Sequence, residues 1–150
     1  MYMIFCKKFI IDAVTLAYGE YYPLENNTPN DTVYWFCKSN YKVYNTEELI
    51  TKRKAQNVDE LISSEKYIPF SKTNIVKLRK EFVQKYCPEA DEKIRKIENS
   101  DPEFDYEIAS RYYFDAHPLE DKWNNYLSSQ IEHDIVKWCN DNNIPYKIKL

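Results

Sequence analysis

The residues best placed to do chemistry lie in DAHPLEDKW, where His117 stands among Asp115, Glu120 and Asp121. A histidine and carboxylates converging on one point hold zinc or exchange protons, and His117 and Asp121 have the i, i+4 spacing of one helix face. Pro118 argues for a plainer arrangement. Proline suits the first turn of a helix, which places His117 at or near the N-cap. Glu120 and Asp121 then fall in the first turn, where the helix dipole favours negative charge. A metal-dependent hydrolase using His117, Asp115 and Asp121 is the alternative. Asp115 fits the plain arrangement least, because a carboxylate near the end of the preceding helix opposes the dipole. The other histidine, His133, lies in EHD off the apolar stripe of its helix and is expected in solvent.

Nucleophilic and nucleotide chemistry find little support. The four cysteines, Cys6, Cys37, Cys87 and Cys139, show no C-x-x-C or C-x-x-H spacing, so no zinc site is signalled. Cys37 and Cys139 sit in apolar-rich segments, where a small buried thiol is common. Gly19 is the single glycine of the chain, so the glycine-dependent loops of Rossmann, P-loop and nucleophile-elbow sites are missing. No cofactor is expected. No stretch reads as a secretory signal or a membrane span, and reduced thiols in a cytoplasmic protein are the expectation.

The formal charge is −3. Acids and bases balance over residues 1–75, so the excess lies in 76–150 and is densest between Asp101 and Asp121. There Asp101, Glu103, Asp105, Glu107, Asp115, Glu120 and Asp121 face a single base, Arg111. Aromatic pairs interrupt the acids. The expected binding residues are therefore Asp105, Glu107, Tyr112, Tyr113, Asp115 and His117, and the expected partner is a protein with a basic surface. An inhibitor or immunity protein against a nuclease-type toxin would have this character; self-association through the aromatic residues is a further option. KTNIVKLRK offers Lys77, Arg79 and Lys80 to phosphate, but an acidic chain disfavours a nucleic-acid partner.

These residues need elements to position them. KKFIIDAVTLAYGEYYP has Phe9, Ile10, Ala13, Val14 and Ala17 at helical spacing, stopped by Gly19 and Pro23. After the polar loop LENNTPND, TVYWFCKSNYKVYN predicts a hairpin turning at Ser39-Asn40, with Asn40 taking positive φ. Val33, Trp35 and Cys37 share one strand face, Tyr34 and Phe36 the other, so both faces should be covered. Asn45 or Thr46 and then Asn57 cap two short helices, and YIPF is an extended link. Beyond it the pattern is helical. Ile75, Leu78, Phe82, Val83 and Tyr86 form one stripe; Ser100 and Glu103 form a capping box before Phe104, Ile108 and Tyr112, with Phe114 as a further member of that set. Leu119, Trp123, Tyr126, Leu127, Ile131, Ile135 and Trp138 form the last stripe, ended by Asn140 to Asn143 and Pro145. The tail PYKIKL suggests an edge strand. The expected fold class is α+β, an N-terminal helix and β-hairpin packed with a C-terminal bundle of about four helices. It reads as one domain over 1–150, with an α+β part at 1–70 and a helical part at 71–150.

The order IIDAV, VYWFCKSNYKV, EKYIPF and KWNNYLSSQIEHDIVKWCNDNNI resembles a UPF-type family of small bacterial proteins with no assigned activity. The resemblance implies an aromatic hairpin followed by helices, and it implies no catalytic residues.

Overall fold

The computed structural model describes residues 7–19 and 34–149. Tyr21, Tyr22, the loop LENNTPND, Val33 and Cys6 lie outside the described residues. The fold class is α+β, with seven helices, a two-stranded parallel sheet and a three-stranded antiparallel sheet among the described residues. The chain divides into two compact units. One comprises the residues up to Thr73 together with those from Ile131 onward, and the other is Asn74–Gln130. The helical part expected over 71–150 is thus shared, because its last twenty residues group with the N-terminal ones. No helix among the described residues is long and apolar enough to cross a membrane.

In the discontinuous unit, β1 (Phe9–Ile11) occupies what the spacing predicts as the start of a helix. Asp12 explains the switch. Its carboxylate accepts from the Thr15 backbone N–H at 3.1 Å, so α1 (Ala13–Gly19) can begin only after it. β1 pairs in parallel with β5 (Tyr146–Ile148), so the weakly alternating tail is a strand whose partner lies at the other end of the sequence. Gly19 is the last described residue of α1, and its φ is not positive. A Cβ there would overlap the Ile131 Cγ2 methyl and sit 3.5 Å from Ile135 Cδ1.

The hairpin is present as β2 (Tyr34–Cys37) and β3 (Lys42–Asn45), with Trp35 opposite Tyr44 and Cys37 opposite Lys42. Its left-handed residue is Tyr41, at φ 59°, rather than Asn40. Asn40 instead accepts from the Lys42 N–H at 3.0 Å, and the Tyr41 ring packs on Phe36 at 5.2 Å, which holds the unusual backbone in place. Tyr67–Pro69, predicted as a link, forms β4 on the other side of β2. Proline is tolerated on such an edge.

Both faces of β2 are covered, as its pattern requires. Trp35 and Cys37 join Leu49, Ala55, Leu61 and Tyr67 in one cluster. Leu49 and Leu61 come from α2 (Thr46–Thr51) and α3 (Val58–Ser63). Asn45 and Glu48 close a capping box on α2, and Asn57 caps α3. On the opposite face Phe36 meets Phe9 and Trp138 edge-on, each at 5.2 Å, and Phe70 meets Trp138 at 5.0 Å. Such pairs contribute about 0.5–1.5 kcal/mol each beyond their area. The Trp138 indole N–H donates to Pro69 O at 2.9 Å, so the ring carries no unmet donor.

The continuous unit holds α4 (Ile75–Tyr86), α5 (Ala90–Glu98), α6 (Tyr106–Ala116) and the first half of α7 (Glu120–Asp141). Asn74 caps α4, accepting from Lys77 N–H at 3.0 Å. Ile75, Leu78, Phe82 and Val83 are buried as the stripe predicts, but Tyr86 is exposed. Phe82, Phe114 and Trp123 pack with ring centroids 5.5–5.9 Å apart. Arg79 is buried with them, 5% exposed. Its guanidinium carbon lies 5.8 Å from the Phe114 ring, and Nη1 donates a long bond of 3.4 Å to Ser110 Oγ.

Candidate functional site

The acidic stretch is built around α6, which starts later than the sequence pattern suggests. Ser100 and Glu103 form no capping box. Ser100 Oγ donates to Ile97 O at 2.7 Å, and the Glu103 N–H donates to Asp101 Oδ1 at 2.9 Å, closing a turn. Asp105 is the cap, accepting from Ile108 N–H at 2.9 Å. The later start rotates the buried face. Phe114 points inward as expected, but it is joined by Tyr106, Ala109, Ser110 and Tyr113 in place of Phe104, Ile108 and Tyr112.

This rotation sorts the predicted binding residues. Tyr112 is 57% exposed and stacks on Phe104, with ring centroids 5.5 Å apart and planes 26° from parallel. Tyr113, expected on the same surface, is only 7% exposed and belongs to the core. Of the carboxylates, Asp105 is committed to the cap and Glu107 to Arg111, which donates to it at 2.6 Å. Asp115 is exposed and makes no hydrogen bond or ion pair with the described residues. Glu107, Arg111 and Asp115 are spaced i, i+4, i+8, so they form one row along the helix, with Tyr112 in the adjacent row.

His117 is the C-cap of α6, not the N-cap of the following helix. Its backbone N–H donates to Tyr113 O at 3.1 Å, its Nδ1 lies 3.0 Å from the same oxygen, and its ring stacks on Tyr113 at 4.0 Å. α7 opens two residues later than predicted, with Leu119 O accepting from Trp123 N–H at 2.9 Å. Pro118 therefore ends one helix rather than beginning the next. Glu120 and Asp121 do fall in the first turn of α7. Among the described residues no three of His, Cys, Asp and Glu come together as metal ligands would. The proposed metal triad of Asp115, His117 and Asp121 is not assembled. The basic stretch is also broken, since Arg79 lies under Trp123 instead of beside Lys77 and Lys80.

One arrangement was not legible in the sequence. Cys37, Asn40, Tyr44, Leu49, Lys52, Lys54, Lys66 and Tyr67 enclose a pocket of about 210 Å³. The Cys37 sulfur sits 3.1 Å from Ser39 Oγ at the start of the hairpin turn. Burial alone raises this thiol. The Ser39 hydroxyl, the backbone N–H groups of Ser39 and Asn40, and the Lys66 charge together outweigh burial and hold it below its usual value. The other described cysteines behave oppositely. Burial and Glu89 raise Cys87, and burial pushes Cys139 up to about 11.

Comparison of the chain with protein-family models, with curated proteins and with solved structures found no match.

Proposed function

We propose that the chain is a non-enzymatic binding module, and that the exposed side of α6 receives a basic partner protein in the manner of an inhibitor or immunity protein. The observation that carries this reading is Tyr112, a large aromatic ring held in solvent by stacking on Phe104. A rigid exposed tyrosine offers contact area at little entropic cost, and its face attracts arginine or lysine. Asp115 beside it supplies the complementary charge. It stands in the last turn of α6, where the dipole disfavours it and which holds no basic residue. A residue that weakens its own helix suits a role outside the fold. Free buried thiols at Cys37, Cys87 and Cys139 agree with a reducing, cytoplasmic setting.

The test is titration of the isotopically labelled chain with a ten-residue arginine peptide, followed by amide chemical shifts. Shifts should centre on Tyr112 and Asp115 and should be lost in Tyr112→Ser and in Asp115→Asn. Asp105→Asn, which keeps a capping oxygen, controls for loss of charge alone. Shifts spread evenly over every acidic residue, or none at all, would sink the proposal.

A further inference from the structure

The pocket at Cys37 lies in the discontinuous unit, is unrelated to α6, and has properties of its own. Three lysines line it. Lys52 shares its charge with Glu48 at 3.6 Å, whereas Lys54 and Lys66 have no carboxylate partner among the described residues. The Lys66 ammonium lies 5.4 Å from the centre of the Tyr67 ring. Tyr67 is 6% exposed and is part of the wall, yet its hydroxyl makes no hydrogen bond among the described residues. The hydroxyl is not fully buried, so at the pocket wall it stays open to solvent and can meet a polar group of a ligand. Cys37 itself is 2% exposed and also part of the wall, so a reagent reaches its sulfur only through this pocket.

We propose that Cys37 is a modification site whose sulfur exchanges with anionic disulfides drawn in by the lysines of this pocket. The hairpin turn supplies what the sulfur needs. The Ser39 hydroxyl lies 3.1 Å from it, and the Lys66 ammonium belongs to the same pocket wall. The pocket is smaller than the roughly 300–1,000 Å³ of drug-sized sites. It therefore takes one short acidic arm of a disulfide, with the remainder outside.

The exchange is balanced without any further reagent. The Cys37 thiol first loses its proton to solvent. The thiolate then attacks the nearer sulfur of the disulfide, and a new S–S bond forms as the old one breaks. The outer sulfur leaves as a thiolate with the electron pair. Cys37 is oxidised to a mixed disulfide and one half of the reagent is reduced. A thiol in the cell reverses the step by the same chemistry.

The experiment uses the full chain and two coloured probes, the doubly anionic dithiobis(nitrobenzoate) and the neutral dithiodipyridine. With the anionic probe the protein should show a fast phase of thiolate release at neutral pH that disappears in Cys37→Ser. Lys54→Gln, at an exposed position that leaves the fold alone, should slow that phase roughly threefold to tenfold and leave the neutral probe unchanged. Lys66→Gln should slow both probes, because its charge acts on the sulfur as well as on the reagent. Added salt should shrink the difference between the probes. Survival of the fast phase in Cys37→Ser overturns the assignment. Equal slowing of both probes by Lys54→Gln overturns anion selection.

Discussion

The guanidinium of Arg79 lies 4.8 Å from the ring centroid of Trp123, buried and without an ion-pair partner among the described residues. Its Nε has no hydrogen-bond partner among the described residues. Stacking on Trp123 and Phe114 offsets part of the cost of burying the charge, by about 2 kcal/mol when desolvated. It does not remove the cost of an unmet donor, about 1–3 kcal/mol. Arg79→Met keeps the length and packing and removes the charge, so its urea midpoint should equal or exceed that of the parent. Arg79→Lys loses the planar stack but keeps a charge buried, and should lose about 2 kcal/mol or more. A lower midpoint for Met than for Lys would contradict this account.

Gly19 is needed for closeness and not for a special backbone angle. Gly19→Ala should cost about 1–3 kcal/mol in chemical denaturation, the usual penalty for forcing a methyl into a filled core. The clash is with the β-branch of Ile131, so Ile131→Leu in the same chain should recover part of the loss. Additive losses in the double variant would show that the contact is not the cause.

The Asp91 carboxyl is held below its usual 3.8, first by the hydrogen bond from Arg95 at 2.8 Å and then by Tyr106 and Lys80, against a smaller effect of burial. Because the folded value is depressed, the stabilisation is complete above 3.8 and fades as the pH falls through the depressed value. The stability gap between the parent and Asp91→Asn should therefore be widest at neutral pH and close in acid. Denaturation series at several pH values check this; a gap that widens on acidification would reverse the sign and refute it.

The sequence was most readable where one periodicity had no competitor. Trp123, Leu127, Ile131 and Ile135 are buried in one helix as their spacing demands, and Asn45 and Asn57 cap the helices they precede. It was misleading where two local signals overlapped. Phe9, Ile10, Ala13 and Val14 are spaced for a helix, but pairing with residues near 146 makes Phe9–Ile11 a strand, and no local pattern reports a partner that distant. Around α6 both Ser100 and Asp105 are good caps. The choice of Asp105 moves Tyr112 outward and Tyr113 inward, so a shift of the start by a few residues exchanged a surface residue for a core one. The Cys37 pocket brings Lys52 and Lys54, from the turn after α2, together with Lys66, from the loop before β4, and no local pattern reports that meeting.

The parallel pairing of β1 with β5 has a consequence for biosynthesis. The first described strand of the chain has no partner until the last one has been made. Residues 74–130, by contrast, are contiguous and all available while the C-terminal segment is still being translated. The unit that holds β1 is thus completed after the contiguous one. During that interval the apolar side chains of Phe9 and Ile11 wait uncovered by their strand partner, which makes slow or interrupted translation near residue 130 the moment of greatest exposure to aggregation.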